Sequence, residues 1–314
     1  MTKRLSKYLL LILPVVFASC RHKDLFTDSA GQVDVVFDWR NAPDADPASM
    51  VTQFFGEPGT ASLRFILQGK DGGTITLPLG SYSAISVNGD DNDWVRLRNV
   101  DDIENYETYS IDAQNTQAYG LSSRALPRAE GTENERMAQA PGMLYTNRQD
   151  KIEHYAYGTE TITFYPEEAV CHYTVDISDV SNLEYVNRAE IDGTISGMAE
   201  GFNHGAKLPT DTHVTMPFIL SADAKEKTLH SEFLTFGESP HDSGKHILSV
   251  YLFLTDGTKW YYNFDVTDQV HTAPDPHHVH IVLSDLSVPH PITDEGGFKP
   301  NVNDWQTEEI DLNM

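Results

Sequence analysis

The side chains able to do chemistry gather at a few points along the chain. His277, His278 and His280, with His271 and Asp275 close by, form the one run that looks like a metal-ligand set. If that run is a strand, His278 and His280 face the same way about 7 Å apart, at about 3.4 Å per residue, a spacing that two metal ligands tolerate. No third ligand follows from spacing, and the plainer reading of the pair is two exposed strand residues. Cys171 precedes His172, but neighbours on a strand point to opposite faces. The imidazole is therefore not placed to activate the thiol, and Cys171 reads as a buried, inert side chain. Asn88-Gly89-Asp90-Asp91-Asn92-Asp93 concentrates acids in a turn. The order of oxygens, glycine and closing glutamate that a calcium loop needs is absent, so the run is read as a solvated loop.

Catalytic motifs are missing. Ile195-Ser196-Gly197 lacks the leading glycine of a nucleophile elbow, and there is neither a phosphate-binding glycine loop nor an H-E-x-x-H pair. Among 47 Asp and Glu residues a glycosidase-type carboxylate pair cannot be picked without geometry. The expectation is a protein that is not an enzyme and needs no cofactor.

The elements that position these residues begin with an export segment. Lys3, Arg4 and Lys7 precede an apolar run from Tyr8 to Phe17, broken by Pro14, and the small Ala18 and Ser19 lead into Cys20. This reads as a secretory signal, too short for a permanent membrane helix. Its ending, Val16-Phe17-Ala18-Ser19-Cys20, resembles a bacterial lipobox, which implies cleavage before Cys20 and lipidation of its thiol. The alternative is an ordinary cleaved signal with a chance cysteine at its end. Residues 1–19 are expected to be the signal peptide and 20–31 a polar tether. Acyl chains on Cys20 would anchor the fold at about 0.8 kcal/mol per buried methylene.

A chain of 314 residues has room for two domains, and 39% hydrophobic residues with 14 Tyr, 14 Phe and 4 Trp argue against disorder. Net charge is −25, and loss of Lys3, Arg4 and Lys7 with no acid takes the mature chain to −28. That balance argues against nucleic acid as a partner and keeps the fold off anionic headgroups. With Cys20 assigned to lipid, Cys171 has no cysteine to pair with. Packed cores must hold this exported protein together.

Period-two alternation predicts strands throughout. Val33, Val35, Phe37 and Trp39 share one face of the first. Ser62 to Gln68 and Thr74 to Leu77 follow, with Lys70-Asp71-Gly72-Gly73 read as a hairpin turn between them. Leu77-Pro78-Leu79-Gly80-Ser81-Tyr82 reads as a corner, resembling one found in transthyretin-like sandwiches. Residues 118–142 lack apolar periodicity and are expected to be a long loop whose Arg124, Arg128 and Arg136 invite trypsin-like cleavage. Further strands run from Glu160 to Leu283, with Asp256-Gly257 as a hairpin turn. The expected architecture is all-β: two sandwiches in series, over residues 32–155 and 156–314.

Several phrases together carry a resemblance: Cys20-Arg21-His22-Lys23-Asp24-Leu25, Val36-Phe37-Asp38-Trp39, Ile195-Ser196-Gly197-Met198-Ala199, Phe264-Asp265-Val266-Thr267-Asp268-Gln269-Val270 and Pro276-His277-His278-Val279-His280-Ile281. With the closing stretch from Gly297 to Asp311, the chain resembles a Bacteroidales lipoprotein family similar to the fimbrillin-like subunits and anchors of type V pili. The resemblance implies two tandem transthyretin-like sandwiches, attachment to outer-membrane lipid through Cys20, presentation at the cell surface, and other fimbrillin-like subunits as partners. Shaft subunits of that group lose an N-terminal strand after cleavage at an arginine, and a neighbour's strand fills the groove. Arg40 follows the first predicted strand and is the candidate protease site, or else an ordinary strand-end arginine. Anchor members keep their first strand. Strand exchange works through main-chain hydrogen bonds and alternate side chains in pockets, and Trp305 to Leu312 could supply such a strand or close its own sandwich. The resemblance thus implies an anchor or accessory component of a pilus. The alternative is a surface adhesin that binds a glycan or host protein through exposed rings such as Trp94 or Trp260-Tyr261-Tyr262.

Overall fold

Val33, Val35 and Phe37 lie buried on one face of the first strand while Gln32 and Val36 lie on the other, so alternation read from the sequence becomes a real inward face. The computed structural model describes residues 30–58, 60–89, 95–97, 110–113, 126–155, 158–187, 190–241, 244–291 and 305–307. The first half comprises β1 (Ala30–Phe37), β2 (Ser49–Phe55), β3 (Leu63–Gln68), β4 (Gly72–Pro78), β5 (Gly80–Asn88), β6 (Val95–Leu97), β7 (Ser110–Ala113), β8 (Arg136–Met137), β9 (Tyr145–His154), β10 (Thr159–Phe164) and β11 (Glu167–Glu168). The second comprises β12 (Cys171–Ser178), β13 (Glu190–Ala199), β14 (Gly201–Asn203), β15 (Leu208–Pro209), β16 (His213–Asp223), β17 (Thr228–Thr235), β18 (Ile247–Phe253), β19 (Lys259–Asp265), helix α1 (Thr267–His271), β20 (His278–Ser284) and β21 (Trp305–Thr307).

The architecture is all-β, two tandem sandwiches. In the first, the sheet β10-β1-β4 packs on β11-β9-β5-β2-β3. Val33, Val35, Phe37, Leu77 and Phe164 from one sheet meet Met50, Phe54, Ala84 and Ile152 from the other in a single core. In the second, β16 meets β17 only from Ser221 to Asp223, so the long sheet folds over at that hairpin. β20-β12-β17 then covers β16-β13-β18-β19, with Tyr173, Val175, Ile281 and Phe236 packed against Ile195, Met216, Leu248 and Tyr262.

Both sandwiches have one topology. Taken in chain order, the main strands are β1, β2, β3, β4, β5, β9, β10 and then β12, β13, β16, β17, β18, β19, β20. In each unit the first strand lies between the last, which runs parallel to it, and the fourth, which runs antiparallel. The sixth, fifth, second and third form the opposing sheet in that order. The chain is a structural duplication that composition did not reveal.

Three expectations need correction. β3 and β4 are not a hairpin: β3 pairs with β2 and β4 with β1, in opposite sheets. Gly69 and Gly72, at φ 71° and 105°, let the chain leave one sheet and enter the other. Thr159–Phe164, expected to open the second unit, pairs along β1 and closes the first. The described part of the expected long loop is tied down. Arg136 pairs with Glu200 at 2.7 Å, Arg128 donates to the Glu135 carbonyl, and Tyr251 donates to the Pro127 carbonyl. Arg124 lies outside the described residues. The expected corner is present, β4 ending at Pro78 and β5 starting at Gly80, and the Tyr82 hydroxyl donates to the Pro78 carbonyl at 2.8 Å. Asp256-Gly257 joins β18 to β19 as expected, with Gly257 at φ 86°.

Candidate functional site

The first strand fills a slot in its own sandwich. Its inward Val33, Val35 and Phe37 are almost fully buried, each stabilising the fold by about 2 kcal/mol of apolar burial. Its outer edges are both paired, from Gln32 to Phe37 along β10 and from Ala30 to Val36 along β4. Past Phe37, the Asp38 amide donates to the Phe164 carbonyl at 2.8 Å and Trp39 Nε1 donates to the Lys70 carbonyl at 2.8 Å. Arg40 follows at once. Its guanidinium bonds the Asp38 carboxylate at 2.5 Å, which holds that carboxyl below its usual range, and sits 4.8 Å from the Tyr165 ring centre. The arginine side chain is exposed, at the end of a strand that remains seated.

The far end of the chain adds an edge strand. β21 runs parallel to β19, Lys259 opposite Trp305 and Tyr261 opposite Thr307. The Trp305 ring meets Tyr251 and Phe253 edge-on at 5.5 and 5.3 Å. Of the expected aromatic platform, Tyr262 is in the core, Trp260 packs on it, and Tyr261 lies under Trp305. Trp94, Ile310 and Leu312 lie outside the described residues, as do Asp90 to Asp93.

A cleft of about 790 Å³ opens between the units. Thr146 and Asn41 come from the first, Tyr173, Phe202, Leu208 and Glu238 from the second. Its size suits a small ligand, and Leu208 is 42% exposed on its wall. Cys171 faces the same cleft, its Sγ 3.9 Å from His277 Nδ1, a neighbour the sequence did not suggest. Burial, with the charges of Asp275 and Glu238, pushes the thiol up to about 12, so it stays protonated and is no nucleophile. His172 points away from it, as alternation requires, and bonds Glu168 at 2.9 Å.

His278 and His280 do share the exposed face of β20. Each goes to a different carboxylate. His278 donates to Asp275 at 2.9 Å, and its ring stacks on His172 at 5.0 Å. His280 donates to Asp176 at 2.6 Å, and His230 donates to the other oxygen of the same carboxylate at 2.7 Å. Burial pushes the Asp176 carboxyl up, but the two histidine hydrogen bonds outweigh it and hold it below its usual range. The result is a band of histidine–carboxylate pairs across three strands, in which the two candidate ligands do not converge on one point. A different set does converge, Glu238, His246 and His271, and nothing in their sequence spacing marks it.

No helix among the described residues is long and apolar enough to cross a membrane. No curated protein matches the sequence. A solved structure of a candidate adhesin from Bacteroides ovatus is 23% identical over 87% of this chain and 98% of its own, with a TM-score of 0.66, and has the same fold. The fimbrial anchor protein Mfa2 from Porphyromonas gingivalis is 11% identical over 81% of this chain and 90% of its own, at a TM-score of 0.49. A candidate polysaccharide-binding protein from Bacteroides thetaiotaomicron is 10% identical over 82% of this chain and 91% of its own, also at 0.49. The family model described as Domain of unknown function (DUF5119) matches residues 19–219, and the chain belongs to that family.

Proposed function

We propose that this chain is a cell-surface lipoprotein of fimbrillin-like type, held in the outer membrane through Cys20, and that it serves as an anchor or accessory component of a pilus by β-strand exchange. The observation that carries the reading is the seated β1. A subunit that keeps its first strand between β4 and β10 has no open slot for a neighbour there and so ends a polymer. It can still give a strand or offer an edge to another fimbrillin-like subunit. On this reading Arg40 stays uncut, and the two units divide just after Phe164.

The test uses native cells. The lipidated protein is extracted and run unboiled and boiled, with mass spectrometry of each band. A heat-sensitive high-mass ladder containing this chain, intact through Arg40, together with another fimbrillin-like subunit is the expected result. A monomer alone, with no copurifying subunit, overturns the pilus reading. The second reading, an adhesin that captures a glycan or host protein, draws on the cleft with Phe202, Leu208 and Tyr173 on its walls.

A further inference from the structure

A bulge in β13 gathers three ligand-type side chains from separate elements. The pairing of β13 with β16 slips between Ile195 and Met198, and Gly197 takes φ 75° there. A Cβ on Gly197 would lie 2.4 Å from the Lys245 carbonyl and 3.0 Å from His246 Nδ1, so only glycine lets the two backbones approach this closely. The bulge turns the Ser196 carbonyl onto His246, whose Nδ1 bonds it at 3.1 Å, and the Ser196 hydroxyl onto the Ile247 amide at 2.9 Å. Thr267, at the start of α1, accepts from the His246 amide at 2.9 Å. On the other side Met198 bridges to Glu238, and the last residue of α1 is His271.

His246 is wholly buried, and with Nδ1–H donated to a carbonyl its Nε2 lone pair is the free end of the ring. That nitrogen has no hydrogen-bond partner, and the buried Nε2 of His271 makes no hydrogen bond either, although the Glu238 carboxylate lies within ion-pair distance of it. A buried ring nitrogen with no hydrogen bond, as at His246 Nε2, is rare and costly in folded proteins. Glu238 Oε2 lies 3.2 Å from His271 Nε2 and 4.0 Å from His246 Nε2, and the three atoms are within 4.8 Å of one another. Ligands around a tetrahedral zinc at about 2.0–2.1 Å stand about 3.4 Å apart. The set is within a small side-chain adjustment of that geometry.

We propose that Glu238, His246 and His271 bind a divalent transition metal of the zinc class. Two neutral imidazoles and a carboxylate suit that ion, with tighter binding of Cu²⁺ expected from the general order of affinities. The carbonyl of Ser196 is the outer partner that fixes the His246 tautomer, as such partners do in metal sites. Glu238 also lines the cleft between the units, so the proposed site lies beside the cleft. This assignment does not depend on the pilus reading.

The test titrates Zn²⁺ into the chelator-stripped full chain at neutral pH against a chromophoric competitor, with Co²⁺ as a spectroscopic probe. One tight equivalent is expected, with d–d bands of a four-coordinate Co²⁺. Glu238→Gln and His271→Ala, on partly exposed side chains, are expected to keep the fold by circular dichroism and weaken Zn²⁺ binding at least about tenfold. The paired change His278→Ala and His280→Ala is expected to leave that affinity unchanged. The assignment is overturned if no tight equivalent binds, if Glu238→Gln and His271→Ala both bind as the native chain does, or if only the His278 and His280 changes abolish binding.

Discussion

His204 Nδ1 lies 2.8 Å from the Thr146 hydroxyl, a hydrogen bond made wholly inside the protein between a loop of the second sandwich and β9 of the first. The ring is 0% exposed, and burial pushes its pKa down to about 3. An unfolded histidine titrates near 6.5, so below that pH the unfolded chain binds a proton that the folded chain refuses. Stability from this group is whole above about pH 6.5 and is lost as pH falls toward 3. The slope reaches about 1.4 kcal/mol per pH unit for one proton. Urea midpoints of the native chain and His204→Gln at pH 7, 5.5 and 4.5 are expected to show a shallower acid loss in the variant. Parallel losses would remove His204 as the cause.

The exposed pair of His230 and Asp176 works in the other direction. The hydrogen bond to Asp176 raises the His230 pKa above its ordinary value. A raised histidine stabilises the fold fully below about pH 6.5, and that contribution disappears as pH rises through the folded-state value. Both side chains are largely in solvent, so the effect stays within about 1 kcal/mol. Asp176→Asn is expected to lower the His230 titration midpoint in NMR and to narrow the difference in stability between pH 6 and pH 8. An unmoved midpoint would show that the carboxylate does not set it.

At Gly72, β4 passes close against the backbone of β1. A Cβ there would lie 2.0 Å from the Val35 carbonyl, at φ 105°. Gly131 has φ 87° but nothing within 4 Å. Gly72→Ala therefore carries both backbone strain and a main-chain clash, and is expected to destabilise the fold by more than about 3 kcal/mol, against about 1 kcal/mol for Gly131→Ala. Limited trypsin digestion read by intact mass is expected to cut after Arg40 faster in Gly72→Ala than in the native chain. Equal cutting rates would mean that β1 is not what shields the segment.

Local pattern was legible where one residue's environment is set by its near neighbours. The inward face of β1, the corner closed by Tyr82 and Pro78, the β18–β19 turn and the opposed Cys171 and His172 all follow from alternation and turn chemistry. Partner choice was not. Lys70 to Gly73 carries the residues of a hairpin, yet β3 and β4 go to opposite sheets, because each buries its apolar side against a strand distant in sequence. β10 looked like the start of a unit because a parallel partner leaves no local trace. His278 and His280 stood out by spacing, whereas Glu238, His246 and His271 meet only because the backbone bulges at Gly197. Such a set is invisible until the register of β13 is known.

The place of β1 also sets a timetable. Among the described strands it is the first to be synthesised, yet its slot is complete only when β10, ending at Phe164, has followed. A ladder joining residues 32–37 to 159–164 closes a long loop before it gains anything, and such pairings are slow. Once β10 has followed, and until β1 docks, β4 and β10 flank an unfilled groove, and the covalently tethered β1 competes for it at an effective concentration on the order of millimolar. Whichever extended strand arrives first with apolar side chains in the right alternation takes the place. On the strand-exchange reading, order of arrival as well as contact energy bears on whether this sandwich closes on itself.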